Sequence, residues 1–277
     1  MIVVVLEPHG FCAGVIGALR KALKIAAASD GSEIYCLHEL VHNEIVVGDL
    51  KKRGFVFVKN IDEVPDGATV LFSAHGVAPQ VREAAKARGI CIVDATCPFV
   101  ERVHRSAREF VVRGLPVVVV GNPGHAEVKG ILGEAPGAAV VRSPSDAKTL
   151  SSRLSARVIG VVSQTTMNAD EVREIVETLR GSFHVETAAD VCNATKERQD
   201  AVKAFDGDAL LVLGSASSSN TRRLCEVAGC RTFRAGTMDE VRALDLSDVV
   251  RLGVTSGAST PESFLEEAVG YLRRGKI

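Results

Sequence analysis

The 277-residue chain has no C-x-x-C pair, no long apolar run and almost no net charge. Each lack excludes something. Seven cysteines (Cys12, Cys36, Cys91, Cys97, Cys192, Cys225 and Cys230) form an odd, dispersed set, which argues against a disulfide framework and against a zinc ribbon. Apolar runs such as PVVVVG at 116–121 stop well short of the roughly 20 residues that span a bilayer. A formal charge of −1 removes the field that would draw the chain to nucleic acid or to an anionic membrane. The opening MIVVVLEPHGFC is strand-like and lacks the basic segment of a signal peptide, so a cytoplasmic protein is expected. Hydrophobic residues make up 46% and charged residues 24%, as in an ordinary globular chain long enough for two or three small domains.

What is there is a repeat. Three stretches run strand, polar tip, short helix, glycine, strand: SEIYCLHELVHNEIVVGDLKKRGFVFV, LPVVVVGNPGHAEVKGILGEAPGAAVV and DALLVLGSASSSNTRRLCEVAGCRTFR. Their tips carry His42-Asn43, then His125-Ala126-Glu127, then Ser218-Ser219-Asn220. A helix start follows in each (Asp62, Ser145-Asp146, Asp239-Glu240), then a further strand with a second tip: SAHGVAP, SQTTMNAD and TSGASTPE. Each second tip opens an amphipathic helix, at Pro79, Asp170 and Pro261-Glu262.

After the first such helix comes ICIVDATC with Cys97, and after the second FHVETAADVC with Cys192. After the third the chain ends, and the missing strand is MIVVVLEPHGFC with Cys12 at the other terminus. The repeat therefore closes in a circle, with the three cysteines at nearly equal spacings. It predicts an α/β fold of three pseudo-symmetric domains: 13–97, 98–192, and 193–277 completed by strand 1–12. Alternating strands and helices imply mainly parallel sheets, whose ligands gather at the carboxyl ends of strands. Pseudo-threefold packing would bring the tips and cysteines to one axis.

Three convergent cysteines suit two metal centres. Zinc would need a histidine as fourth ligand. An iron–sulfur cubane would keep one iron without a protein ligand, free to bind a substrate oxygen. The tips favour the second reading, because His42, His75, His125, Thr165, Thr166, Ser218, Ser219, Asn220 and Ser259 are donors suited to a phosphorylated ligand. Glu127, next to His125, is the candidate acid. Two readings compete: a zinc hydrolase with Glu127 as base, and an iron–sulfur sensor that binds a phosphorylated effector without turnover. Cys36 and Cys91 read as core thiols; Cys225, Cys230, His38 and His104 also read as structural. Arg20-Lys21 and Lys51-Lys52-Arg53 read as solvated faces.

The motifs GFCAGV (10–15), VHN (41–43), SAHGV (73–77), DATCP (94–98), GHAEV (124–128), SQTT (163–166), SSSNT (217–221) and TSGAS (255–259) together resemble the LytB family of 4-hydroxy-3-methylbut-2-enyl diphosphate reductases. The resemblance runs in order over nearly the whole chain. It implies a trefoil of three α/β domains around a 4Fe–4S cluster held by Cys12, Cys97 and Cys192, which can also occur in a three-iron form. It implies an allylic diphosphate held by His42, His75, His125, Ser218, Ser219, Asn220 and Ser259. Glu127 would be the proton source, aided by Thr165 or Thr166, and a ferredoxin- or flavodoxin-type protein would donate electrons. The expected products are isopentenyl and dimethylallyl diphosphate. Four positions depart from the family pattern: Ile16 and Gly17 stand where an acidic–basic pair is common, Asn193 where a tyrosine is usual, and His9 where an arginine is common.

Overall fold

A computed structural model describes residues 1–189 and 191–275, so Asp190 and the last two residues of the expected third domain lie outside it. The chain opens with β1 (Ile2–Val5) and α1 (Ala13–Ala28), followed by β2 (Ile34–Leu37), α2 (Glu44–Lys52), β3 (Phe55–Val58), β4 (Thr69–Phe72), α3 (Pro79–Ala87) and β5 (Cys91–Asp94). The second run is α4 (Pro98–Val112), β6 (Val117–Val120), α5 (Ala126–Glu134), β7 (Ala139–Val141), α6 (Pro144–Ser151), β8 (Val158–Ser163), α7 (Ala169–Arg180) and β9 (His184–Ala189). The third is α8 (Asn193–Lys203), β10 (Ala209–Leu213), α9 (Ser219–Glu226), β11 (Arg231–Ala235), α10 (Met238–Arg242), β12 (Arg251–Ser256) and α11 (Glu262–Arg273).

These strands make three four-stranded parallel sheets, ordered β3-β2-β4-β5, β7-β6-β8-β9 and β11-β10-β12-β1. The order is the same each time, with β1 standing where β5 and β9 stand in the others. Val3 of β1 pairs with Leu252 of β12, so the N-terminal strand closes the third sheet. Because all strands of a sheet run in parallel, both polar tips and the cysteine of each repeat leave from the same edge.

The chain separates into two compact units. One comprises Met1–Ile16, Val41–Lys52 and the residues from Asn193 on, and holds the sheet closed by β1. Leu211, Leu213, Leu252 and Val254 pack there against Phe264, Leu265 and Ala268 of α11. The other unit, Gly17–Leu40 with Arg53–Cys192, holds the remaining two sheets. Its strand β6 is buried on both faces, which is why it reads as an unbroken valine run. Val118 and Val120 meet Ile175 and Leu179 of α7, while Val117 and Val119 meet Val103, Ala107 and Phe110 of α4 and Val128 and Ile131 of α5. Helices α4 and α5 thus share one face of this sheet. No helix among the described residues is long and apolar enough to cross a membrane.

Three local expectations are corrected. The helix expected at Asp62 is only a 3-10 turn, Ile61–Glu63. Val64 precedes Pro65, and a residue before proline is pushed out of the helical region. Helix α7 starts one residue before Asp170, because the Asn168 side chain accepts the Asp170 N–H at 3.0 Å and caps it. Cys91 is exposed, since β5 is an edge strand, whereas Cys36 on the central β2 is fully buried and its thiol is pushed up to about 12 by desolvation.

Candidate active site

The three cysteines occupy one structural address. Cys12, Cys97 and Cys192 each stand immediately before a helix, α1, α4 and α8. Their backbone N–H groups donate to the second tip of their own repeat: Cys12 to the Ala258 carbonyl at 3.1 Å, Cys97 to Ala74 at 3.0 Å and Cys192 to Thr165 at 3.1 Å. All three are half-buried, unlike Cys36. The start of a helix favours negative charge, the form in which a cysteine ligates a metal. They are the candidate ligands of a metal centre.

In the two-sheet unit, the dominant feature is Glu127. It is the second residue of α5 and is 1% exposed, among a helix face that also buries Val128 and Ile131. Its Oε1 accepts the Thr165 N–H at 2.7 Å and its Oε2 the Thr165 hydroxyl at 3.1 Å. Burial pushes this carboxyl up to about 7, with the Thr165 hydrogen bonds pulling the other way. It therefore exchanges a proton near neutral pH. Thr166 is engaged elsewhere: Gln164 Nε2 donates to its hydroxyl at 2.8 Å, while Gln164 Oε1 accepts the Asn122 N–H at 3.0 Å. The geometry thus separates two threonines that the sequence leaves equivalent.

His125 caps α5, its Nδ1 accepting the Glu127 N–H at 3.2 Å. With that lone pair used, the neutral ring carries its proton on Nε2 and offers a donor. The His75 ring meets it edge to face, with centroids 5.5 Å apart, and His75 Nδ1 lies 3.3 Å from the buried Ser73 hydroxyl. Sequence reasoning placed His75 on one tip, His125 with Glu127 on a second and Thr165 with Thr166 on a third; here His75 meets His125 and Glu127 meets Thr165.

In the other unit, the loop after Val41 carries His42, and Asn43 caps α2 by accepting the Ile45 and Val46 N–H groups at 3.1 and 3.2 Å. The Ser259 hydroxyl donates to the His42 carbonyl at 3.1 Å, tying the second tip to this loop. Ser218 caps α9 by accepting the Thr221 N–H at 3.3 Å, and Ser219 accepts from Arg222 at 3.4 Å. Asn220, 4% exposed, is the outlier: neither its Oδ1 nor its Nδ2 has a partner among the described residues. Leaving a buried polar group unpaired costs about 1–3 kcal/mol, so such an amide fits a ligand that pairs with it.

Sequence reasoning missed a second carboxylate and a buried cation. Glu44 accepts the Ser215 hydroxyl at 2.6 Å, which puts a second carboxylate beside the tips. Arg198, 3% exposed, donates to the carbonyls of His9 and Gly10 at 3.2 and 2.9 Å and so holds the turn leading into Cys12. Gly10 has a φ of 66°, and a Cβ there would collide with Glu262 Oε2. His9 lies 3.0 Å from Glu7 and 3.2 Å from Glu262, paired with carboxylates on both ring nitrogens. No local pattern signals Arg198, which reaches 188 positions along the chain to Gly10.

Residues 3–273 match the family model described as LytB protein. Over 280 residues the chain is 42% identical to the 4-hydroxy-3-methylbut-2-enyl diphosphate reductase of Ralstonia nicotianae, covering 98% of this chain and 86% of that protein. It is 39% identical to the enzyme of the same name from Anaplasma marginale, covering 98% and 82%. Among solved structures it is similar to the E-1-hydroxy-2-methyl-but-2-enyl-4-diphosphate reductase of Plasmodium falciparum, with a TM-score of 0.91 and 31% identity over 98% of this chain and 87% of that one. A second, an (E)-4-hydroxy-3-methyl-but-2-enyl diphosphate reductase described as the terminal enzyme of the non-mevalonate pathway, gives a TM-score of 0.70 at 31% identity, covering 99% and 100%.

Proposed function

The chain belongs to the LytB family, and on that premise we propose that it reduces 4-hydroxy-3-methylbut-2-enyl diphosphate to isopentenyl and dimethylallyl diphosphate. The allylic C–O bond breaks, the oxygen leaves as water after taking one proton, and a second proton goes to carbon. The two electrons come from an external ferredoxin- or flavodoxin-type donor.

The observation that carries this reading is the buried Glu127–Thr165 pair. A reductive dehydration needs a group that holds a proton at neutral pH away from bulk water and releases it to a leaving oxygen. A carboxyl raised to about 7 by burial, with its oxygens fixed at 2.7 and 3.1 Å from Thr165, meets that need. The Thr165 hydroxyl orients the carboxyl, and Thr166 stays with Gln164. His125 and His75 present imidazoles to the diphosphate, with His125 donating from Nε2. In the other unit, Asn220, Ser218, Ser219, Ser259 and His42 are the candidate anion-binding residues, and the unpaired Asn220 amide would gain its partner from a diphosphate oxygen.

Cys12, Cys97 and Cys192 would hold a 4Fe–4S cluster. Their shared address at helix starts, their half-burial and their N–H bonds to equivalent tips fit such a ligand set better than the deeply buried Cys36 does. When bound, the cluster supplies electrons and a Lewis-acid iron with no protein ligand. Arg198 contributes by fixing the turn before Cys12. Anaerobic purification with an iron and sulfide assay, followed by turnover with dithionite and a viologen dye, tests the reading. A brown protein that consumes the hydroxylated diphosphate supports it; a colourless protein with stoichiometric zinc refutes it. Cys97→Ser should lose cluster iron, and a normal iron content would remove Cys97 from the ligand set.

A further inference from the structure

His104 lies on α4, two turns from Cys97, and is 1% exposed. Its Nδ1 is 3.1 Å from Glu134 Oε1 at the end of α5, and Arg108 donates to the same oxygen at 2.7 Å. A carboxylate held by arginine has no proton to give, so Nδ1–H donates and the Nε2 lone pair faces the other way. Nε2 has no hydrogen-bond partner among the described residues. What it faces is two glycines. A Cβ on Gly76 would lie 3.1 Å from Nε2, and one on Gly130 would lie 2.9 Å from Cε1 and 3.0 Å from Nε2.

Those glycines are not arbitrary. Gly76 follows His75 and has a φ of 75°. Gly130 stands one helical turn beyond Glu127 on α5, the helix that His125 caps. The imidazole therefore fills the gap between the loop that carries His75 and the helix that carries His125 and Glu127, whose two histidine rings touch at 5.5 Å. An apolar side chain would bury more cheaply here, since it leaves no unpaired nitrogen. Desolvation also holds the ring below the usual histidine range, which keeps it neutral in place.

We propose that His104 is a positioning residue, whose ring edge sets the separation of the His75 loop from helix α5 so that His75 and His125 converge on one anionic group. This rests on the reading of both histidines as diphosphate ligands. The bond to Glu134 anchors the ring, and contact with Gly76 and Gly130 transmits its position. His104→Asn keeps a donor near the Nδ1 position but withdraws the edge; His104→Gln keeps the reach but gives up the Glu134 bond.

The test measures inorganic pyrophosphate binding to the anaerobically purified holoprotein by calorimetry, alongside KM and kcat. His104→Asn should weaken pyrophosphate binding and raise KM about tenfold, with kcat changed much less, while His104→Gln stays within about threefold of the parent. Equal affinities for His104→Asn and the parent would overturn the proposal. His75→Ala and His125→Ala serve as controls: if they bind pyrophosphate normally, the ligand reading itself fails; if they bind weakly while His104→Asn does not, only the positioning role fails. Should His104→Asn not fold, Gly130→Ala reports on the same contact. Its new methyl must displace the ring and weaken pyrophosphate binding, and unchanged binding would again overturn the proposal.

Discussion

Glu127 and Asn220 occupy the same place in two copies of the repeat. Each is the second residue of a short helix that follows a central strand, α5 after β6 and α9 after β10, and each helix is capped by the residue before it, His125 or Ser218. Both side chains are buried. Yet the carboxyl is satisfied by two hydrogen bonds from Thr165, while the amide has none among the described residues. One side chain is a carboxyl raised by burial and paired with Thr165; the other is a buried amide without a partner among the described residues. In the remaining copy, Asn43 caps α2 and the second helical residue is Ile45, 41% exposed, which can do neither. A threefold repeat thus supplies equivalent positions, and under the proposed function the side chain at each one divides acid chemistry from anion binding.

That comparison is sharpest under substitution. Glu127→Gln should lower kcat by about 100-fold or more, because a proton donor is lost while the shape is kept. Substrate binding and iron content should not change; a kcat within about threefold of the parent would end the assignment. Asn220→Leu should produce the opposite pattern, a KM raised about tenfold or more with kcat largely kept. Without ligand this variant should be at least as stable as the parent in urea unfolding, since it removes an unpaired buried amide. A clear loss of stability would mean that the amide is satisfied within the protein. The smallest effect separates the two threonines. Thr165→Val removes the hydroxyl bond to Glu127 but keeps the backbone one, and should cost about tenfold in kcat. Thr166→Val breaks only the contact with Gln164 and should cost less; the reverse order would reassign the helper.

Much of this was legible in the sequence for a physical reason. Buried parallel strands must be continuously apolar, so β6 and β10 stand out, and the polar tips between them repeat in register. The circular closure followed from a missing strand, and β1 beside β12 supplies it. Edge position was not legible, because Cys36 and Cys91 sit in similar apolar runs and only sheet order buries one of them. Nor was the choice between Thr165 and Thr166, which depends on which hydroxyl faces Glu127 after folding. Arg198 and His104 escaped for a related cause. Their partners are carbonyls, a glutamate and glycines far along the chain, which carry no motif of their own.

In the proposed mechanism Glu127 holds the proton that the leaving oxygen takes. Its carboxyl is raised by burial, so it is protonated below about 7 and gives up its proton to solvent as the pH climbs through that value. The direct measurement is kcat/KM against pH under excess chemical reductant. A falling limb should begin near pH 7 and approach a tenfold loss per unit above it. A rate that stays flat, or rises, from about pH 6 to about pH 9 would contradict it.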